Sequence, residues 1–422
     1  MKTSQHNILI IGGGTAGITV AAQLLKKDKS LDIGIIEPSE KHYYQPAWTL
    51  VGAGTYDLQN TIREEKKVMP SGATWIKEHA SEIDPEQQTV STEEGRTYSY
   101  NYLIAAPGIQ LDWDAIPGLK EGIGKNGLTS NYDPRYAEYT WELLQNFRVG
   151  NALFTQPATP IKCGGAPQKI MYLAEDYFEK QGVRQRANVI FATPGSVLFG
   201  MKNIAKTLNQ IIRARNIHTR FFHNLIEIRP EKKEAVYEIT QEDRLPISLG
   251  KQDQDLGIRP EGDSKVVIPY EMMHLAPPQS APDFIKRSPL SVPDSPYGWV
   301  DVNKHTLQHN RYPNVFSLGD ASSTPNAKTG AAVRKQAPIL VENLLSVMQQ
   351  QSNLMKNPQY HGYGSCPIVT RYGRMVLAEF DYDNQPDSSF PFDTTKERWS
   401  MWLLKKYFLP WFYWNRMLKG KG

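Results

Sequence analysis

Cysteine is scarce: two residues, Cys163 and Cys366, in a chain of 422. That excludes a disulfide-scaffolded fold and any cysteine-rich zinc or iron–sulfur centre. Charge of one sign is equally lacking, since 48 basic and 44 acidic residues leave only +4, and nothing in that balance calls for a nucleic-acid partner. Long apolar runs are missing too. No stretch approaches the ~18 uninterrupted apolar residues of a membrane-spanning helix. The first apolar run opens about seven residues from Met1, which leaves no room for a secretory signal, and no transit peptide is expected. No internal repeat of fixed period is evident. The nine histidines are scattered. His305 and His309 stand four apart without the surroundings of a zinc helix, and a solvated surface is expected for them. No Ser-His-Asp arrangement is suggested.

What is present begins with Asn7-Ile-Leu-Ile-Ile11, an apolar run of the kind a buried parallel strand requires. Gly12, Gly14 and Gly17 follow at the spacing G-x-G-x-x-G, and the turn runs into an alanine- and leucine-rich helix pattern from Thr15 to Lys27. A second strand, Asp32 to Ile36, ends at Glu37. The first glycine permits a tight turn, the second lets backbone approach a pyrophosphate, and the third lets helix pack on strand. Free N–H groups at the helix start face the pyrophosphate, and Glu37 can accept from ribose hydroxyls. Gly12, Gly14, Ala16, Gly17 and Glu37 are therefore candidate cofactor residues.

The length suits two or three domains. After an aromatic loop, Lys41 to Trp48, a helix-like stretch covers Gln59 to Val68, a strand Thr74 to Ile83, and a hairpin Gln88 to Tyr98. Tyr102 to Gly108 reads as a buried strand, and a Trp/Pro/Gly-rich linker runs to about Ile123. A second α/β section has strands at Ala152–Phe154, Asn188–Ala192, Thr219–Glu227, Lys233–Ile239 and Val266–Pro277, with helices at Pro167–Gln181 and Gly200–Arg215. Gln241 to Ser264 is polar and reads as an exposed insertion. Strands at Gly298–Val302 and Asn314–Asp320, a helix from Lys328 to Gln349 and a hairpin at Ile368–Asp381 complete the body. Lys396 to Lys419 holds four of the nine tryptophans among Lys and Arg, split by Pro410. Two short helices in a membrane interface suit that composition, against a core or dimer-packing pair. The expected fold class is α/β, two Rossmann-like dinucleotide-binding domains plus a C-terminal interfacial helical tail. Its expected parts are 1–120 and 281–385 for the first domain, 121–280 for the second and 386–422 for the tail.

Val315-Phe-Ser-Leu-Gly-Asp320, a strand ending in Gly-Asp before a helix, resembles the second flavin-binding motif of the two-dinucleotide-binding-domain flavoproteins, the disulfide-reductase-like family. Tyr102 to Gly108 resembles that family's connecting strand. The resemblance implies FAD, with Asp320 on the ribityl chain and a helix aiming its positive end at the flavin ring. It adds Pro107, Gly108 and Gly319 to the cofactor residues. In the family a second G-x-G-x-x-G holds a pyridine nucleotide. Here the matching place, Val189 to Gly195 followed by Ser196 to Gly200, has Pro194 where a glycine belongs. The electron donor is then expected to be something else.

Cys163 lies ahead of a helix start and near Lys162 and Lys169, both of which favour thiolate. Spacing does not say whether it meets Cys366. Ile161 to Tyr172, Gly364 to Thr370 and Val315 to Val333 look like the sulfide:quinone oxidoreductases, of the type close to the animal mitochondrial enzyme. That resemblance covers nearly the whole chain and implies a Cys163–Cys366 disulfide opened by sulfide. The sulfane sulfur is left on Cys366, Cys163 is released as thiolate, and two electrons pass through FAD to a membrane quinone. A thiol, sulfite or further sulfide takes the sulfur. The resemblance also points to Lys328 for stabilising a flavin anion, Lys169 beside Cys163, Gln45 and Pro46 against the flavin, and the backbone of Ala80 at adenine. The expected location is a monotopic one, on the cytoplasmic face of a bacterial inner membrane or the matrix face of the mitochondrial one. A homo-oligomer is compatible with all this. The rivals are a type II NADH:quinone oxidoreductase and a flavoprotein sulfide dehydrogenase with a cytochrome acceptor.

Overall fold

Ile8, Leu9, Ile10 and Ile11 are no more than 2% exposed because the strand that carries them, Thr3–Ile11, is covered on both faces. In the computed structural model, which describes residues 3–242, 245–325, 328–351 and 353–422, this strand lies in a seven-stranded sheet. It pairs in parallel with Ile33–Ile36 on one side and with Thr97–Ala105 on the other. Thr97–Ala105 is long enough to be shared. Its carboxyl half pairs in parallel with Val315–Ser317 and its amino half antiparallel with Thr89–Thr92. Three strands thus end side by side at Ile11, Ala105 and Ser317, and the residues after them form one rim. Ligands of open α/β sheets bind at such a carboxyl edge.

The helix Thr15–Lys27 starts and stops as its sequence pattern predicts. Ile18, Val20, Ala21, Leu24 and Leu25 are buried, and Lys26 and Lys27 stand in the last turn, where they complement the helix dipole. Its neighbour is the helix Gly330–Met348, capped by the Thr329 hydroxyl accepting from Ala332 N–H at 3.2 Å. That cap moves the expected start at Lys328 two residues on.

A second, all-parallel sheet has the order Leu128–Thr129, Met272–Leu275, Gly150–Thr155, Ala187–Ala192, His218–Arg220. A four-stranded antiparallel sheet from 223 to 269 follows it. The two chain crossings between the first and second sheets run antiparallel, Gln110–Leu111 against Gln279–Ser280.

Several expectations give way. The strand Thr74 to Ile83 is two strands, Ala73–Ile76 and Ala80–Asp84, at opposite margins of the first sheet. Between them Glu78 is buried and takes hydrogen bonds from Thr92 and Tyr98, which pulls the chain out of register. The helix-like stretch Gln59 to Val68 is a 3₁₀ turn, a short strand Ile62–Glu64 and one helical turn. Thr219 to Glu227 and Val266 to Pro277 are each two strands. Gly298 to Val302 makes only isolated bridges. The insertion is not simply exposed: Leu256 and Ile258 are buried, Arg259–Glu261 pairs with Lys265–Pro269, and Asp253 pairs with Arg220 at 2.8 Å. Its Asp243 and Arg244 lie outside the described residues. His309 is not at a solvated surface. It is 3% exposed, its Nε2 donates to Leu290 O at 3.0 Å, and its Nδ1 accepts from Arg311 N–H.

Candidate active site

The rim of the first sheet assembles both dinucleotide motifs. Gly17 has to be bare, because a Cβ there would stand 1.9 Å from Gly12 O. Gly14, by contrast, faces open space, with nothing within 4 Å of where a Cβ would be. The helix start is therefore pressed onto the strand on one side and left free for a pyrophosphate on the other. Gly319 lies against Ala16, so the second motif closes on the first. The Glu37 carboxylate takes the N–H groups of Gly13 and Ser39, both at 2.8 Å, and burial nonetheless raises its pKa. The Asp320 carboxylate carries no hydrogen bond among the described residues, only the main-chain oxygen being engaged, by Lys328. Its pKa is raised by burial and held back by Lys162 and Lys328. An open cradle, a ribose-side acid and an unengaged acid at the second motif fit a flavin dinucleotide. Pro107 and Gly108 close the same rim, Gly108 with a left-handed φ of 78°. Ala80 opens its own strand, paired with Thr92, instead of ending the previous one.

Cys163 and Cys366 come together. Cys366 lies on the strand Gly364–Arg371, which packs on the helix Ala166–Lys180, and Cys163 sits just ahead of that helix. The sulfur atoms are 3.7 Å apart, with both thiols free. Gly165 makes this approach possible: a Cβ on it would reach to 2.5 Å of the Cys366 sulfur. Lys169, 3% exposed, puts Nζ 2.9 Å from the Cys163 sulfur. Cys163 is held well below the usual thiol range, first by the hydrogen bond from Cys366 and then, against burial, by Lys169. Cys366 is pushed up by its hydrogen bond to Cys163 and by burial, against Lys169. The shared proton is thus favoured on Cys366 and the charge on Cys163. Cys163 N–H donates to Lys328 O at 3.1 Å, which ties the sulfur loop to the second flavin motif.

Lys328 does not face open space. Its ammonium donates to Asp320 O at 2.7 Å and Ser322 O at 2.9 Å over the Trp299 ring, and burial lowers its pKa to about 8. As placed, it holds the turn that carries Asp320. Gln45 accepts from Lys162, and Pro46 O accepts from Lys405 Nζ at 2.7 Å.

Lys405 and Tyr132 are the site residues that sequence reasoning missed. Lys405, in the tail, is 2% exposed. Burial takes its pKa down to about 7, with Lys169 adding to the fall and the Cys163 thiolate opposing it. Its one signal was a lysine amid apolar neighbours, which reads equally as snorkelling. Tyr132, buried, bonds Lys162 O at 3.2 Å, and its hydroxyl feels both sulfurs. The tail itself divides. Met401, Trp402, Lys405, Pro410, Tyr413, Met417 and Leu418 are buried, whereas Trp399, Tyr407, Phe408 and Trp411 are about half or more exposed. It is packed on the body and presents aromatics outward. No helix among the described residues is long and apolar enough to cross a membrane.

The electrostatics give a direct expectation. Lys169→Met removes the cation beside Cys163, so its pKa rises and its thiolate is lost earlier as pH falls. Iodoacetamide at about pH 6, below the ~8.5 of a free thiol, should label Cys163 in the parent protein and label the variant about tenfold more slowly. Equal rates would remove Lys169 from the account.

Fold and site define a class, the two-dinucleotide-domain disulfide oxidoreductases, and comparison with known proteins agrees. The family model for pyridine nucleotide-disulphide oxidoreductases matches residues 6–145. The mitochondrial sulfide:quinone oxidoreductase of Mus musculus is 48% identical over 99% of this chain and 87% of its own. That of Dictyostelium discoideum is 44% identical over 98% and 86%. The structure of the Aquifex aeolicus sulfide:quinone oxidoreductase superposes with a TM-score of 0.80 at 19% identity, covering 99% of this chain and 92% of that one. The chain belongs to the sulfide:quinone oxidoreductase family.

Proposed function

We propose that this protein oxidises sulfide and passes the electrons through FAD to a membrane quinone. The observation that carries the reading is the 3.7 Å approach of two cysteines 203 residues apart, beside the flavin motif. In the oxidised state, sulfide attacks the Cys366 sulfur, the S–S bond breaks, and Cys163 leaves as thiolate. Lys169 stabilises that leaving group in place, its ammonium 2.9 Å from the Cys163 sulfur. The sulfane sulfur on Cys366 passes to a thiol, sulfite or second sulfide. Two electrons per sulfide then leave the cysteine pair and the disulfide is restored. FAD bound at the rim supplies the two-electron acceptor that a quinone reoxidises. Gly12, Gly14, Ala16 and Gly17 bind its pyrophosphate half, Glu37 the ribose and Asp320 the ribityl chain. Gln45, Pro46, Pro107 and Gly108 flank the ring, Ala80 the adenine.

The second domain, 121–280, keeps the dinucleotide fold without the cradle. At Gly195 and Gly200 a Cβ would meet nothing closer than 3.6 and 3.4 Å, and neither glycine has a left-handed φ. Nothing there requires glycine as Gly17 does, which supports a donor other than NADH. Anaerobic titration tests this: sulfide should bleach the flavin band at ~450 nm and NADH should not. Bleaching by NADH alone would overturn the donor.

The tail, 386–422, is the membrane contact. Leu403, Leu404, Tyr407, Phe408 and Trp411 line an apolar groove of about 580 Å³ beside buried Lys405. Interfacial aromatics flanked by Lys406 and Arg416 suit a bilayer surface. Phe408→Ser with Trp411→Ser should lower vesicle binding and quinone turnover about tenfold, while sulfide still bleaches the flavin. Undiminished vesicle binding would argue against this face.

A further inference from the structure

A buried polar chain joins the tail to the dinucleotide loop. Glu65 and His42 are each 2% exposed in their side chains and lie 3.2 Å apart, Oε2 to Nδ1. His42 Nε2 meets the Tyr413 hydroxyl at 2.6 Å, and that hydroxyl meets Thr15 Oγ1 at 2.8 Å. Thr15 is the first residue of the helix whose start faces the open Gly14 cradle. At the other end, Glu65 Oε1 is buried with no hydrogen bond among the described residues, 3.1 Å from where a Gly13 Cβ would stand. The chain therefore bonds the helix start at Thr15 and lays Glu65 alongside Gly13, and its link to Thr15 is a tail residue almost 400 positions away. Packing follows the same line. Tyr44 lies against Tyr413 at 4.8 Å. Met417 and Leu418 share an apolar cluster with Ile18 and Leu25, and Lys26 Nζ donates to Gly420 O at 3.0 Å.

We propose that Glu65, His42 and Tyr413 are positioning residues that latch the C-terminal tail to the pyrophosphate loop, so that cofactor retention and docking of the tail stabilise each other. The physical reason is that these polar groups are out of water. If the tail lifts, Thr15 and His42 each lose the Tyr413 hydroxyl, a partner they cannot replace without opening the loop to water. If the loop loosens, Tyr413 loses its bond to Thr15 and keeps only that to His42. Coupling of this kind is reciprocal. The proposal rests on FAD occupying the loop.

The test uses holoenzyme throughout, with Thr15→Val, Tyr413→Phe and the double variant, all of which keep side-chain shape. Two readouts are needed: the rate of FAD release on dilution, and chymotryptic cleavage in the tail at Tyr407, Phe408 or Trp411. Thr15→Val should release FAD about tenfold faster, Tyr413→Phe at least as fast because it also loses His42, and the double variant no faster than Tyr413→Phe. Thr15→Val, at the far end of the chain, should also speed tail cleavage severalfold, which a purely local weakening of FAD binding would not do. Wild-type tail cleavage in Thr15→Val, or release rates that multiply in the double variant, would overturn the latch. A wild-type protein without a flavin band would instead sink the cofactor reading, and the coupling with it.

Discussion

Cys163→Ser is expected to bind FAD normally and to lose its reduction by sulfide by roughly a thousandfold or more. No cofactor residue at the rim is held through the Cys163 sulfur. Its tie to the second motif is the backbone bond to Lys328 O, which serine keeps. What serine cannot do is form the disulfide that sulfide must open, or leave as a stabilised thiolate at neutral pH. Lys169 would then face a neutral hydroxyl with its charge uncompensated. The flavin band should survive purification and persist under anaerobic sulfide. Cys366→Ser should fail in the same way, because its sulfur is the one attacked. Bleaching at near the parental rate in either variant would contradict the assignment.

Gly17→Ala is expected to do the opposite, losing the cofactor while leaving the sulfur chemistry without an electron acceptor. The added methyl would stand 1.9 Å from Gly12 O and 3.1 Å from an Ile10 methyl. Backbone and a buried strand residue do not give way as a flexible side chain does. Overpacking of a core costs about 1–3 kcal/mol, and here the obstacle is a main-chain oxygen in the loop that cradles the pyrophosphate. The variant should be isolated colourless, with a lowered melting temperature that added FAD does not restore. A yellow protein of parental stability would mean that the helix start is not where the dinucleotide sits.

Legibility from sequence follows how local each feature is. The helix Thr15–Lys27 was readable to the residue because glycines, apolar spacing and terminal lysines all lie within one short segment. Thr74 to Ile83 misled because its alternation is real but its break is tertiary: Glu78 turns inward to Thr92 and Tyr98. The helix Pro134–Asn146 went unread although Asp133 caps it and Pro134 opens it, both signals in plain view. For the site, the sulfur contexts were legible but their meeting was not, since 203 residues separate Cys163 from Cys366. Only family resemblance brought them together in advance. Lys405 was out of reach for the same reason. Its burial depends on Pro46 O, a partner some 360 positions away, and on a tail that sequence composition alone assigns to the bilayer.

The claim everything turns on is that sulfide delivers its sulfur to this cysteine pair. Mixing oxidised holoenzyme anaerobically with one equivalent of sulfide, quenching with an alkylating agent and weighing the peptides tests it. The account predicts one extra sulfur atom on the peptide bearing Cys366 and none on that bearing Cys163, with the flavin bleaching when sulfite is then added to take that sulfur. A bleached flavin with neither peptide carrying added sulfur would contradict it.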